Sequence, residues 1–253
     1  MQRQQLMHFR ISMGSYSSFV HNIMALARQR VSANVCVANV HMFIEAYQDK
    51  ELEGVINNAD IVTPDGKPLA WGLRLLLGIK QDRVAGMDLL PDLLQQLAAH
   101  QMPVYFYGGT SELLNATENY LGNKYPSLKI AGLYSPPFRK LTRGEEDEVI
   151  TSINLSGAHV VFVVLGCPKQ EKWMASMKGK IHAVMIGIGG ALPVMAGLQK
   201  RAPAWMQNAG LEWFFRLMQE PGRLLKRYAI TNSLFVYLLL KEYMAIRVFK
   251  KGA

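Results

Sequence analysis

The sequence predicts an α/β fold: a mostly parallel sheet with helices on both faces, followed by a basic helical C-terminal appendage. Three observations carry this expectation. Continuous apolar runs such as His159 to Leu165 (HVVFVVL) suit strands buried on both faces. These runs alternate with segments of helical spacing, the pattern of a sheet whose crossovers are helices. From Leu198 onward ten basic residues face three acidic ones, so this part carries +7 of the chain's net +9.

Val31 to Val40 (VSANVCVANV) reads as the first strand. His41 to Asn57 reads as a helix, with Phe43, Ile44, Tyr47 and Val55 on its apolar side. Ala59 to Thr63 is a short strand that stops at Pro64-Asp65-Gly66, a turn by composition. Lys67 to Leu77 and Asp88 to His100 are helices, with Pro91 tolerated in the first turn of the second. Pro103 to Tyr107 (PVYFY) is a buried strand, and Gly108-Gly109-Thr110-Ser111-Glu112 leads it into a helix ending near Leu121. Leu128 to Leu133 is a strand, Tyr134 to Leu141 a Pro-rich loop and Thr142 to Ser156 a charged helix. After the strand at His159 to Leu165, Gly166-Cys167-Pro168-Lys169-Gln170-Glu171 opens another helix, and His182 to Ile188 is the last strand. The expected organisation is a core over residues 1–197 and a basic appendage over residues 198–253.

Composition narrows the class. A hydrophobic fraction of 50% with 19% charged residues argues against disorder. Two cysteines, Cys36 and Cys167, are too few for a disulfide framework and point to a reducing, cytoplasmic setting. The N-terminus has basic residues but no apolar core of a signal peptide behind them. No stretch reaches the roughly 20 apolar residues that span a bilayer; Leu234 to Leu240 is too short. The basic appendage calls for an anionic partner: lipid headgroups, a diphosphate or nucleic acid. Tyr228 to Phe249 mixes apolar residues with Lys and Arg, which suits a helix lying at a membrane surface.

In parallel sheets ligands bind at the carboxyl ends of the strands. Asn39, Asp65, Gly108 to Thr110, Gly166 to Gln170 and Gly187 to Gly190 all fall at such ends. Gly108 and Gly109 can turn backbone amides toward a phosphate, although a glycine turn is as often a tight connection. Asp65 has the position of a general base, but the residues alone favour a turn aspartate bonded to its own backbone. Lys169 and Gln170 put a cation and an amide at a helix start, where Lys169 can meet a phosphate and the amide can bond sugar hydroxyls, although Pro168 and Glu171 also suit an ordinary first helical turn. Arg216, Arg223 and Arg227 are spaced to share a helix face and to bind phosphate oxygens, but Pro221-Gly222 should interrupt that helix. No Asp-x-Asp, HExxH or CxxC motif supports a metal site.

Together these motifs resemble the WecG/TagA/CpsF family, glycosyltransferase family 26. The matching runs are ADIVTPDGKPL (Ala59 to Leu69), RVAGMDLL (Arg83 to Leu90), the glycine turn at Gly108, YPSLKIAG (Tyr125 to Gly132), LGCPKQEKWM (Leu165 to Met174) and the tract from Gly187 to Arg227. The resemblance implies a Rossmann-like core with a C-terminal appendage. It implies an inverting, metal-independent transfer from a UDP-sugar to a polyprenyl-diphosphate-linked sugar, without a cofactor. The reaction would take place peripherally, at the cytoplasmic face of the bacterial inner membrane, in surface polysaccharide or exopolysaccharide synthesis.

Position by position, the resemblance makes Asp65 the base on the acceptor hydroxyl, with Asn39 beside it. It places Arg83 and Gln170 near the substrates, the donor diphosphate over the glycine turns at Gly108, Gly109, Gly189 and Gly190, and Arg216, Arg223 and Arg227 on the leaving diphosphate. The chain departs from the family at Val37, where many members have Thr, and at Leu192-Pro193, where an acidic residue is missing. It departs again at the loop Ser135 to Arg139. An exopolysaccharide branch using UDP-glucose is one expectation; UDP-N-acetylmannosamine and its uronic acid stay open. The departures also motivate an alternative, a non-catalytic UDP-sugar-binding protein of the same fold. A nucleic-acid-binding role ranks last, for want of a recognition motif. Self-association is left open.

Overall fold

The computed structural model describes residues 1–251, with side chains through Arg247. Lys250 and Lys251 of the basic tail therefore lie outside the described side chains.

Six parallel strands form the centre: β3 (Ala33–Ala38), β4 (Ile61–Pro64), β5 (Val104–Gly108), β6 (Ile130–Tyr134), β7 (Val160–Val164) and β8 (Val184–Gly187). Their order is β4-β3-β8-β7-β5-β6. The two earlier strands, β1 (Arg3–Leu6) and β2 (Phe9–Ser12), make a separate antiparallel hairpin. The sheet register aligns Val35 with Ile61 and Ile186, and Phe162 with Ile186 and Phe106. Side chains alternate across a strand, so these residues share one face while Cys36, Val62, Met185 and Val161 share the other. Both sets are buried, which is why the strands read as continuous apolar runs.

Each face has its own cover. On the first lie α1 (Tyr16–Arg28), α5 (Gly86–Ala99), α6 (Ser111–Lys124) and α9 (Ala191–Met195). On the second lie the hairpin, α2 (Val40–Gln48), α3 (Lys50–Asn57), α4 (Lys67–Leu77), α7 (Arg143–Leu155) and α8 (Lys169–Met177). The C-terminal elements are α10 (Ala204–Ala209), α11 (Glu212–Gln219) and α12 (Pro221–Lys251). Phe235 and Leu238 of α12 join the second core, with Phe235 edge-on to Phe43 of α2 at 5.2 Å.

Several elements differ from the sequence expectation. The helix expected over His41 to Asn57 is two helices. Asp49 caps the end of α2 and the start of α3, and its carboxylate accepts from Glu51 and Leu52 backbone N–H groups. Helix α5 begins at Gly86, so Pro91 is interior rather than in the first turn and deletes one backbone hydrogen bond. The hairpin and α1 had no assignment from sequence, although Phe19, Val20, Ile23, Met24 and Ala27 are its buried stripe.

Helix α12 corrects the expectation about membranes. Over Pro221–Arg247 it is long and apolar enough to cross a membrane by length and composition. Leu234 to Leu240 is thus part of a longer apolar tract. Its Phe235 and Leu238 are nevertheless buried against the core, a packing that a bilayer-crossing helix would have to give up.

Candidate functional site

The carboxyl ends of β3, β4, β5, β7 and β8 open into a cleft of about 820 Å³, closed on its far side by α11 and α12. This volume falls within the range of small-molecule sites.

The floor is set by two adjacent strand ends. Ala38 pairs with Pro64 in the β3–β4 register, so Asn39 and Asp65 leave the sheet side by side. The Asp65 N–H donates to the Ala38 carbonyl at 2.7 Å. Gly66 follows with φ 92°, a conformation that favours glycine, and turns the chain into α4. Asn39 caps α2, its Oδ1 accepting from the Met42 N–H at 3.1 Å. That bond fixes the amide plane and leaves its N–H groups free of the cap.

Asp65 corrects the reading drawn from its turn sequence. Among the described residues its carboxylate takes no hydrogen bond from its own backbone. Burial pushes the carboxyl up from 3.8 to about 7; Arg83 opposes this, Glu212 adds to it and Arg216 opposes it. An acid tuned this close to neutrality is suited to moving a proton.

Arg83 lines the cleft, but its guanidinium is already engaged. It donates to Asp88 at 2.7 Å and pairs with Glu212, while Arg201 pairs with Asp88. Two cations and two carboxylates thus tie the segment before α5 to the C-terminal tract. Val84 anchors the same segment, its N–H donating to Pro64 O at 3.0 Å and its carbonyl accepting from Thr63 Oγ1 at 3.0 Å.

The glycine turns divide in two. Gly108 does not line the cleft: a Cβ there would meet the Val164 carbonyl oxygen at 2.7 Å, so it serves close packing of β5 on β7. Gly109 and Thr110 do line it. At the end of β8, Gly189 and Gly190 line it as well. A side chain at Gly190 would fall on the Arg216 guanidinium.

Lys169 and Gln170 separate likewise. Lys169 is exposed and outside the cleft lining, contrary to its expected place near a phosphate. Gln170 is buried and lines the cleft. Its Nε2 donates to Glu171 Oε1 at 2.7 Å, which leaves Oε1 unpaired beside Gly189. Burial pushes the Glu171 carboxyl up to about 6, while bonds from Gln170 and the Cys167 thiol hold it down.

Arg216 lies on α11, and Arg223 and Arg227 on α12. The helix does break between them, at Glu220. All three arginines still line one cleft, because α11 folds back on α12, with Trp213 edge-on to Tyr228 at 5.9 Å.

A family model described as the glycosyl transferase WecG/TagA/CpsF family matches residues 4–248. The chain belongs to this family. It is 30% identical over 211 residues to a Bacillus subtilis protein, covering 80% of each chain. It is 33% identical over 196 residues to a Bacillus spizizenii protein, covering 77% of this chain and 74% of that one. Both relatives are named N-acetylglucosaminyldiphosphoundecaprenol N-acetyl-beta-D-mannosaminyltransferase. As a WecG/TagA/CpsF member the chain is a glycosyltransferase, and its six-stranded core is Rossmann-like.

The structure adds residues to the site of this family member that sequence reasoning passed over. His41 lines the cleft in the first turn of α2; burial, helped by Arg227, pushes it down to about 4, so it is neutral at physiological pH. Its only sequence signal is its place two residues after Asn39. Glu212 and Trp213, within the tract from Gly187 to Arg227, also line the cleft. At the departures, Val37 and Pro193 line it with side chains that neither donate nor accept, and Leu192 is in the core.

Proposed function

We propose that this glycosyltransferase moves a hexose from a UDP-sugar to a polyprenyl-diphosphate-linked sugar, with inversion at the anomeric carbon. The observation that carries the reading is Asp65: a carboxyl raised to about 7, free of hydrogen bonds among the described residues, on the floor of a cleft lined by Arg216, Arg223 and Arg227.

In this reading Asp65 takes the proton of the acceptor hydroxyl. The hydroxyl oxygen attacks the anomeric carbon as its bond to the β-phosphate oxygen breaks, and UDP leaves with the electron pair. A single displacement of this kind inverts the centre. The arginines meet the charge that grows on the diphosphate. Their guanidinium forks match phosphate oxygens, so the step calls on no cofactor and no metal. Asn39 and Gln170 orient the sugars, and Gly109, Gly189 and Gly190 let the donor approach the backbone.

The names of the relatives support a lipid-linked N-acetylglucosamine acceptor and N-acetylmannosamine as the transferred sugar. Residues 198–253 act as an appendage that closes the site and rests on the cytoplasmic face of the membrane. Trp71, Tyr237, Leu240 and Met244 are exposed beside Arg74, Lys241 and Arg247, an apolar surface edged with cations.

The test is UDP release with synthetic polyprenyl-diphosphate-N-acetylglucosamine and polyprenyl-diphosphate-glucose. Each is tried with UDP-N-acetylmannosamine, its uronic acid and UDP-glucose. Acceptor-dependent release from one donor is expected. UDP binding without release from any pair would favour the non-catalytic alternative.

A further inference from the structure

We infer that the groove between α4 and α12 is the binding site for the first isoprene units of the acceptor's lipid chain. This deepens the reading above and rests on it.

The cleft changes chemistry along α12. Arg223 and Arg227 are at its charged end, followed by Thr231 and Asn232, then Phe235, Val236 and Leu239. At a rise of about 1.5 Å per residue, Val236 lies roughly 14 Å along the helix from Arg227. The opposite wall is α4, whose Lys67 and Pro68 lie by Asp65 and whose Trp71 lies one turn further out. The same cavity therefore passes from a diphosphate-binding chemistry to an apolar one without a break.

Behind the groove α12 packs against α4 and the hairpin. A Cβ at Gly72 would sit 3.5 Å from Leu239 Cδ1 and 3.5 Å from Leu6, so α12 approaches α4 closely behind the groove. In front, the walls are left uncovered: Trp71 is 56% exposed and Val236 52% exposed. Beyond them a second hollow is lined by Trp71, Arg74, Leu75, Tyr243 and Arg247. Trp71 lines both, so the apolar end of the cleft adjoins this outer hollow, where Arg74 and Arg247 stand beside Leu75 and Tyr243. A chain attached to a diphosphate held by Arg223 and Arg227 has the apolar end of the cleft as its exit.

The affinity of the protein for N-acetylglucosaminyl diphosphate carrying one or three isoprene units tests this, in buffer without detergent or vesicles. The three-unit ligand is expected to bind at least about tenfold tighter, the effect of burying roughly two methylene groups. Trp71→Ser and Val236→Asn, both at half-exposed positions, should each bring it toward the one-unit value, with thermal unfolding as the check on folding. Equal affinity of the native protein for the two ligands would overturn the groove. So would a chain-length preference untouched by both variants, or one seen only with vesicles, where bilayer lipid would fill the groove instead. If both ligands bind equally and transfer still proceeds, the groove alone falls; if neither binds or is used, the acceptor reading falls with it.

Discussion

The guanidinium of Arg216 occupies the space that a side chain on residue 190 would fill. A glycine at the end of β8 and an arginine on α11 therefore meet only because residue 190 has no Cβ.

Gly190→Ala is expected to displace Arg216 without harming the fold. The backbone there has φ −71°, which alanine adopts freely, and the displaced group is the end of a flexible side chain. Steady-state kinetics should show kcat/KM down by about tenfold or more, the loss of one charge-assisted contact. Thermal unfolding should change little. Unaltered kinetics would remove Arg216 from the diphosphate site.

Asp65→Asn should lower turnover by about 100-fold to 10,000-fold, the span of general base catalysis. Stability should move the other way. The folded chain holds the Asp65 proton up to about pH 7 and the unfolded chain only to about 3.8. Its contribution to stability is therefore lost as pH rises from about 4 to about 7. The variant should melt higher than the native protein at pH 8 and close to it at pH 4.

Glu212→Gln couples the ion-pair cluster to the base. Glu212 raises the Asp65 pKa, so its loss should shift the acid limb of the kcat/KM profile to lower pH. It also removes the partly exposed Arg83–Glu212 pair, a loss of about 1 kcal/mol, and leaves Arg83 paired with Asp88. An unshifted acid limb would mean that a group other than Asp65 sets it.

Glu171→Ala should act through Gln170. Without its carboxylate the Gln170 amide is free to turn, and its unpaired oxygen no longer has a fixed direction beside Gly189. A rise in donor KM of about tenfold, with kcat less affected, is expected from the loss of one charged hydrogen bond. An equal loss in kcat alone would place the effect elsewhere.

Replacing Tyr237, Leu240 and Met244 by Asp together should weaken binding to anionic vesicles by about tenfold or more, since all three are exposed apolar groups. Co-sedimentation across a salt series measures it. Unchanged binding would move the membrane surface off α12.

Much of the core was legible because its signals are local. A strand buried on both faces must be apolar at every position, and VVFVV and VYFYG announce themselves. The break between α11 and α12 is equally local, since Pro221 cannot continue a helix and is tolerated only in the first turn of the next one. The hairpin lacked such signals, because strands of four residues are too short to show a period; α1 did carry one, Phe19, Val20, Ile23, Met24 and Ala27 at helical spacing behind the Ser15 cap, and it was legible in the sequence.

At the site the division is finer. The sequence by itself determined which residues stand at strand ends, because strands and turns are written in neighbouring positions, and it determined the family through motifs in order along the chain. Only the tertiary structure decided which of two neighbours faces the cleft. Gln170 points in and Lys169 out because successive helical residues are turned about 100° apart. Gly109 lines the cleft while Gly108 packs on β7, because β5 runs against β7 there. The Asp65 carboxyl reaches about 7 through burial and the opposing charges of Arg83, Glu212 and Arg216, which lie far from it in the chain. Desolvation and Coulomb forces act through space, so no local pattern could state them.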